Sequence, residues 1–187
     1  VAPPIMQTSN FRVGKVDELK KLFENEYGGY LYSRGLNPTV DILRKKMAAL
    51  DQAEDCLVFN SGIAAIYAGI LANIKGGDHI VSVDKPYSWV QKIFDNLLPR
   101  FGVETTYIDG TRPENFERAL RSNTRFIYLE SPNSWTFAIQ DIEAVTRLAK
   151  KHGITTLIDN TYCTPLNQLP VSLGVDLCMQ TATKYIG

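Results

Sequence analysis

The chain has 187 residues, of which 44% are hydrophobic, and this is enough for one core of ordinary size. Twenty basic residues balance twenty acidic ones, so the formal net charge is zero and no basic stripe follows the chain. A neutral chain without such a stripe is not typical of a nucleic-acid-binding protein, and we expect no nucleic-acid partner.

The cysteines and histidines indicate neither disulfides nor a metal site. Cys56, Cys163 and Cys178 are odd in number and far apart, which is typical of reduced thiols in a cytoplasmic protein. We expect His79 and His152 to be ordinary solvated side chains, since neither has a second ligand at metal spacing. No charged segment followed by an apolar one opens the chain, so nothing suggests secretion, although a leader already removed remains an alternative.

The first fifty residues predict an extended start and two helices. Pro3 and Pro4 disfavour a helix, whereas residues 16–27 have the spacing of a short amphipathic helix. A second helix is predicted over 38–50, with an apolar stripe of Val40, Leu43, Met47 and Leu50. Between the helices, 30–39 mixes aromatics, an arginine and turn residues, which is typical of an ordinary loop.

The next segment predicts a short strand over 55–59 and then a helix that begins at Ser61-Gly62 and runs through Ile74. A helix start with a glycine offers free N–H groups and the positive end of the helix dipole, which suit a phosphate. A plain serine N-cap is the commoner alternative. Residues 56–74 carry no charge, but polar interruptions favour a buried strand and helix over a membrane span.

The rest of the chain alternates strands and helices. Strands are predicted over 79–83, 104–108, 125–129 and 154–159, with a last one that ends at Lys184. Helices are predicted over 88–101, 113–121 and 141–152. This rhythm predicts a three-layer α/β fold with a mostly parallel sheet.

Each of the last two predicted strands delivers a reactive side chain to the open end of the sheet. Asp159 ends one strand, and Lys184, flanked by the hydroxyls of Thr181 and Thr183, ends the next. A lysine that can be neutral is a Schiff-base candidate, and a nearby carboxylate suits a cationic ring nitrogen. Together they suggest pyridoxal phosphate. A surface lysine just past a strand is an equal alternative.

Three segments resemble the signature of the Cys/Met-metabolism, trans-sulfuration family of fold-type I pyridoxal-phosphate enzymes. They are Asp159-Asn-Thr-Tyr-Cys-Thr-Pro165, Gly174-Val-Asp-Leu and Thr181-Ala-Thr-Lys184-Tyr-Ile-Gly187. The resemblance runs from Pro4 to Gly187, while family members are about twice as long, so the region after the lysine is missing. It implies the large domain of that fold, truncated after the lysine.

The resemblance implies an enzyme that makes or breaks C–S or C–O bonds at Cβ or Cγ of cystathionine, methionine or O-acylhomoserine. It assigns catalytic roles to Lys184, to Asp159 at the ring nitrogen, and to Tyr87, which would also stack on the pyridine ring. Trp89 is a bulky departure from the family pattern beside that tyrosine. An aminotransferase-like enzyme of the same fold and a non-catalytic cofactor-binding fragment or partner remain alternatives.

The resemblance also implies binding residues. Ser61, Gly62 and Ile63, in Ser-Gly-Ile-Ala-Ala, would hold the cofactor phosphate, with Thr181 and Thr183 close to it.

Two further motifs bear on the cofactor. The family asparagine that contacts the ring hydroxyl falls at Ser134, with Asn133 one place early, so either could make this contact. Tyr32 and Arg34 would reach the phosphate of a neighbouring subunit. We therefore expect a dimer or tetramer, in which an arm and helices over 1–50 serve the neighbour and 51–187 bind the cofactor.

Overall fold

The computed structural model describes residues 3–186, apart from the side chain of Glu26. Gly187, the last residue of the predicted lysine motif, lies outside the described residues. The chain forms two compact units: one consists of the residues up to Ala49 together with Ala53–Val58, and the other of Leu50–Gln52 and the residues from Phe59 onwards. The roles assigned to 1–50 and 51–187 stay predictions.

The first unit contains the two predicted helices. Helix α1 spans Val16–Glu24 and is followed by a 3₁₀ turn at Glu26–Gly28. Helix α2 spans Pro38–Asp51, so its last two residues fall in the second unit. The turn-rich segment between the helices forms no strand, apart from an isolated bridge between Asn10 and Tyr32.

The predicted apolar stripe of α2 is not part of a core in this chain. Val40 is 45% exposed and Leu43 46%. The buried side chains of α2 include Asp41, which accepts hydrogen bonds from Lys45 at 2.7 Å and from the Tyr30 hydroxyl at 3.2 Å. Lys45 and the other nearby donors hold the pKa of Asp41 below its usual range. The predicted apolar stripe is therefore largely exposed in the described residues.

The second unit is built on a parallel sheet of five strands in the order β2-β1-β3-β4-β5. The strands are β1 His79–Val83, β2 Glu104–Ile108, β3 Thr124–Glu130, β4 Thr155–Asp159 and β5 Leu177–Met179. The helices are α3 Gly62–Leu71, α4 Ser88–Lys92, α5 Pro113–Ala119, α6 Ile142–His152 and α7 Thr164–Asn167. The prediction of an α/β fold with a parallel sheet is confirmed.

The core lies in the three central strands, which are buried on both faces. Ile80, Val81, Phe126, Ile127 and Ile158 have no exposed surface. Near-continuous apolar runs of this kind are typical of strands in a parallel sheet that helices cover on both sides. Helix α6 has a well-defined start and end, because Asp141 caps it through the Ala144 amide at 2.9 Å and Gly153 ends it in the left-handed conformation.

Three predicted elements differ in the structure. Residues 55–59 form no strand, because no strand of the described sheet pairs with their backbone groups. The predicted helix over 88–101 contains three helix types: α4 is followed by a π turn at Ile93–Leu97 and a 3₁₀ turn at Leu98–Phe101. The last strand, β5, ends at Met179, so the prediction that Lys184 ends it is wrong.

The described residues contain neither a membrane-spanning helix nor a cluster of metal-binding side chains. No helix in 3–186 is long and apolar enough to cross a bilayer, and the uncharged run over 56–74 consists of an extended segment followed by the ten-residue α3. No group of three or more histidine, cysteine or acidic side chains within that range is arranged to hold a metal ion.

His79 is fully buried at the start of β1, so the prediction of a solvated side chain is wrong for this residue. Its Nδ1 lies 2.8 Å from the hydroxyl of Thr124 on β3, and its Nε2 lies 2.8 Å from the hydroxyl of Thr106 on β2. Burial, helped by the nearby Arg121 guanidinium, lowers the pKa of His79. The neutral ring therefore joins β1 to both of its neighbours in the sheet, β2 and β3.

We expect the neutral His79 ring to make the folded state sensitive to acid. Because its folded-state pKa lies below the usual 6.5, the unfolded chain binds the proton more tightly. The ring's contribution to stability is complete above about pH 6.5 and is lost as the pH falls towards the folded-state pKa. The variant His79→Gln should therefore lose less unfolding free energy than the wild type on acidification from about pH 7 to about pH 5.

Urea denaturation at a series of pH values measures this difference. His152→Gln is the matched control, because His152 is exposed at the end of α6 and should follow the wild type. If the unfolding free energy changed equally with pH in the wild type and in His79→Gln, the prediction would be contradicted.

Candidate functional site

The carboxyl edge of the sheet collects most of the predicted site residues. In the β3–β4 ladder, Glu130 is the partner of Asp159, and in the β4–β5 ladder Asp159 is the partner of Met179. Because the strands are parallel, the segments that follow β1, β3, β4 and β5 all leave the sheet at this edge. Ligands of open α/β sheets bind outside the carboxyl ends of the strands, so this edge is the place to look for a site.

Asp159 is a carboxyl group at the end of a buried strand. Its Oδ1 accepts the backbone N–H of Thr161 at 3.0 Å. Burial raises the pKa of Asp159 to about 6, the charge of Glu130 adds to the increase, and the hydrogen bonds from Thr161 oppose it. No basic side chain in residues 3–186 forms an ion pair with Asp159. A desolvated acid of this kind fits a cationic ring nitrogen.

Thr161 links Asp159 to the segment that carries the predicted lysine. The Thr161 hydroxyl accepts the backbone N–H of Thr181 at 3.1 Å, and the Thr181 hydroxyl lies 2.9 Å from that of Thr183. The structure thus brings together three predicted site residues through a fourth, Thr161, that the sequence reasoning did not single out. The only signal for it was its place in the polar cluster after β4.

The start of α3 packs against the same segment. A Cβ atom at Gly62 would lie 2.8 Å from the Cβ of Thr181, so this close approach requires glycine. Ser61 caps the helix, since its hydroxyl accepts the Ala64 amide at 3.3 Å. The Gly62 and Ile63 amides donate to no group in the described part of the chain, which leaves them available to an anion.

Asn133 and Ser134 have different surroundings. Asn133 is buried and both polar atoms of its side-chain amide form hydrogen bonds: Nδ2 donates to the Lys85 carbonyl at 2.9 Å, and Oδ1 accepts from the Trp135 and Thr136 amides at 3.0 and 2.9 Å. The Ser134 hydroxyl is buried and has no hydrogen-bond partner in the structure. A buried hydroxyl without a partner is costly, so Ser134 is suited to a polar group supplied by a ligand.

Tyr87 and Lys184 are both accessible. Tyr87 lies immediately before α4 and is 40% exposed. Lys184 is exposed in a turn five residues after the end of β5, and its amine forms no hydrogen bond or ion pair with the described residues. The amine is therefore not committed to a structural contact.

Tyr32 and Arg34 lie in the first unit. Both are exposed, and the Arg34 guanidinium carbon lies 5.2 Å from the centre of the Tyr32 ring. The two side chains thus form a cation–π pair. Their predicted contact with a neighbouring subunit stays a prediction.

The residues at the sheet edge fit pyridoxal phosphate on two observations of the structure. A buried acid without a counter-ion matches the pyridinium nitrogen, and a helix start closed against Thr181 by Gly62 matches the phosphate. An α/β sheet with this edge defines the class: a pyridoxal-phosphate-binding protein of the fold-type I kind. The model of the family described as Cys/Met metabolism PLP-dependent enzyme matches residues 1–187, and the chain belongs to that family.

Individual relatives agree with the family. The chain is 38% identical to an L-methionine gamma-lyase of Treponema denticola, and the match covers 100% of this chain and 47% of the relative. It is 36% identical to a cystathionine gamma-lyase of Bacillus subtilis, with 100% of this chain and 47% of the relative covered. The chain thus spans about half the length of the relatives it matches.

A solved structure resembles the fold closely. It is the crystal structure of a Campylobacter jejuni protein assigned as an O-acetylhomoserine (thiol)-lyase, with a TM-score of 0.92 and 30% identity over 98% of this chain and 45% of that one. That protein carries a pyridoxyl-lysine monophosphate residue. The prediction of pyridoxal phosphate as the cofactor is confirmed by the family.

Asp159→Asn should stabilise the cofactor-free protein and weaken cofactor binding. The folded-state pKa of Asp159, about 6, exceeds the usual 3.8, so the ionised carboxyl lowers the stability of the folded protein. This cost grows as the pH rises from 3.8 and is complete above about pH 6. Near neutral pH the variant should gain about 1–3 kcal/mol of unfolding free energy. Loss of the ion pair should weaken pyridoxal-phosphate binding at least about tenfold.

Urea denaturation without the cofactor and a titration with pyridoxal phosphate measure the two effects. A cofactor-free variant that is less stable than the wild type near neutral pH, or one that binds the cofactor equally well, would contradict this assignment.

Proposed function

We propose that this chain acts in a pyridoxal-phosphate-dependent trans-sulfuration enzyme. Its reaction makes or breaks a C–S or C–O bond at Cβ or Cγ of an amino acid of the cystathionine, methionine or O-acylhomoserine type. The observation that carries the proposal is the desolvated carboxyl of Asp159, linked through Thr161 to the segment that leads to Lys184. The relatives named as methionine and cystathionine lyases support the choice of substrates.

The proposal assigns separate roles to Lys184, Asp159 and Tyr87. Pyridoxal phosphate, when bound, supplies an electron sink for a carbanion at the substrate carbon. Lys184 holds the cofactor through its amine and, once released, moves protons at Cα and Cβ of the substrate. Asp159, ionised near neutral pH, keeps the ring nitrogen protonated. Tyr87 stacks on the ring and exchanges a proton with the departing or entering group.

The phosphate and the ring hydroxyl are held by separate groups. The amides of Gly62 and Ile63, at the Ser61-capped start of α3, bind the phosphate together with the hydroxyls of Thr181 and Thr183. Ser134, rather than Asn133, contacts the ring hydroxyl. The support for this choice is that the Asn133 amide already forms hydrogen bonds, whereas the Ser134 hydroxyl forms none with residues 3–186.

Self-association is part of the proposal. The first unit exposes several large apolar side chains, including Phe23 at 72%, Val40 and Leu43. Surfaces of this kind are typical of interaction sites, and here they support a dimer or tetramer. In that assembly Tyr32 and Arg34 reach the cofactor phosphate of the neighbouring subunit. We place the enzyme in the cytoplasm, which fits the absence of a disulfide among the cysteines of residues 3–186.

Reduction with sodium borohydride should fix pyridoxal phosphate to Lys184, because a lysine that holds the cofactor is bonded to it through a reducible C=N linkage. Peptide mapping by mass spectrometry locates the modified lysine, and Lys184→Arg should give no adduct. Lys85→Arg is the matched control, since Lys85 is another exposed lysine at this edge of the sheet, and it should label normally. An adduct on a different lysine would reject the assignment.

A panel of substrates tests the reaction. Cystathionine, methionine and O-acylhomoserines should release or consume a thiol, and release of ammonia identifies lyase chemistry. Exchange of the amino group with a keto acid, without any change at sulfur, would instead indicate an aminotransferase.

Mixing two inactive variants tests the role of Arg34 in a neighbouring subunit. Arg34→Ala and Lys184→Ala should each lose activity or cofactor binding alone. If Arg34 serves the neighbour's site, a mixed dimer contains one site with both residues intact, and co-expression should restore about a quarter of the wild-type activity. If Arg34 instead serves the site of its own subunit, each site of the mixed dimer carries one of the two defects and no activity is restored.

A further inference from the structure

Glu130 is a buried carboxylate that no role described above uses. It ends β3 beside Asp159 and is 2% exposed. Its Oε2 accepts the backbone N–H of Tyr87 at 2.7 Å, and its Oε1 accepts the backbone N–H of Ser134 at 2.6 Å. The Tyr128 hydroxyl lies 3.4 Å from Oε2. Each carboxylate oxygen therefore binds a different loop.

The surroundings of Glu130 show what keeps its charge buried. No basic side chain in residues 3–186 forms an ion pair with it. A buried carboxylate is costly unless hydrogen bonds replace its water, and bonds from backbone N–H groups to a charged acceptor are among the stronger ones. The two short bonds to backbone amides supply this replacement. The arrangement stabilises both loops as well as the charge.

The two loops are those that carry the proposed ring contacts. One follows β1 and leads to Tyr87, and the other follows β3 and contains Ser134. A second bond joins the same loops, from the Asn133 amide to the Lys85 carbonyl at 2.9 Å. The Tyr87 hydroxyl forms no hydrogen bond with the described residues, so the position of its ring depends on the backbone to which it is attached.

We propose that Glu130 is a positioning residue of the cofactor site: its carboxylate holds the backbone of Tyr87 and Ser134 so that both side chains face the same ring. The proposal rests on the proposed function, because it takes the roles of Tyr87 and Ser134 from there. Glu130 acts through these two residues and touches neither the cofactor nor the substrate itself. Sites of this kind depend on such supporting contacts to fix the groups that touch the ligand.

Glu130→Gln tests the proposal with little change in volume. The glutamine has one acceptor oxygen, and its NH₂ group faces a backbone donor, so one of the two loops loses its partner. Hydrogen exchange of the amide that loses its acceptor, Tyr87 or Ser134, should become at least about tenfold faster in the cofactor-free protein. The dissociation constant for pyridoxal phosphate should rise about tenfold or more.

Asp176→Asn is the matched control. The Asp176 carboxylate also accepts a backbone N–H, from Thr156 at 2.8 Å, but at the amino end of β4. This variant should speed hydrogen exchange at the Thr156 amide. The exchange rates of the Tyr87 and Ser134 amides and the affinity for pyridoxal phosphate should both stay within about twofold of the wild type. If Glu130 had only a structural role, Glu130→Gln would resemble Asp176→Asn and leave the affinity for pyridoxal phosphate nearly unchanged.

The outcomes separate the positioning role from the proposed function. Wild-type exchange rates at Tyr87 and Ser134 in Glu130→Gln, or an unchanged dissociation constant, would overturn the positioning role. If Glu130→Gln does not fold, Glu130→Asp replaces it; its shorter side chain should release at least one of the two amides, and protection of both would overturn the proposal. A wild-type protein that takes up no pyridoxal phosphate refutes the proposed function, whereas the exchange rates still decide whether Glu130 holds the two loops.

Discussion

The parallel pairing of β3 with β4 is the constraint on which the site depends. It sets Glu130 beside Asp159 at the same level of the sheet, so two acidic groups share a desolvated edge. Glu130 is satisfied by backbone amides, whereas Asp159 has a single amide from Thr161 and a raised pKa. The edge therefore holds one acid that is fully bonded within the protein and one that is left for a cation. In the proposed function, this difference separates the supporting role of Glu130 from the catalytic role of Asp159.

The fold was largely predictable because its signals are local and repeated. Strands β1 and β2 have the predicted bounds, and α6 spans Ile142–His152 where a helix over 141–152 was predicted. Continuous apolar runs separated by amphipathic helices specify a parallel sheet without any knowledge of long-range contacts. The predicted strand over 55–59 failed because strand formation needs a partner edge, which a local pattern does not reveal.

The sequence indicates the residues of the candidate site but not the hydrogen bonds among them. A strand-end acid and a lysine in a polar cluster are visible in the sequence, and so is a serine before a glycine at a helix start. The use of Asn133 in the loop's own hydrogen bonds is not visible, since it depends on the path of the chain after β3. The same holds for His79, whose two threonine partners come from strands far away in the sequence.

The carboxyl of Asp159 at the end of β4, which lacks a counter-ion in the described residues, also makes the stability of the folded protein depend on the supply of vitamin B6. A ligand that binds only the folded state adds to its stability by mass action, and here it also removes the cost of a desolvated negative charge. Newly synthesised protein in a cell short of vitamin B6 keeps that cost. In the proposed function, we therefore expect such protein to unfold more often and to be degraded more readily, so that the amount of enzyme in the cell follows the availability of its cofactor.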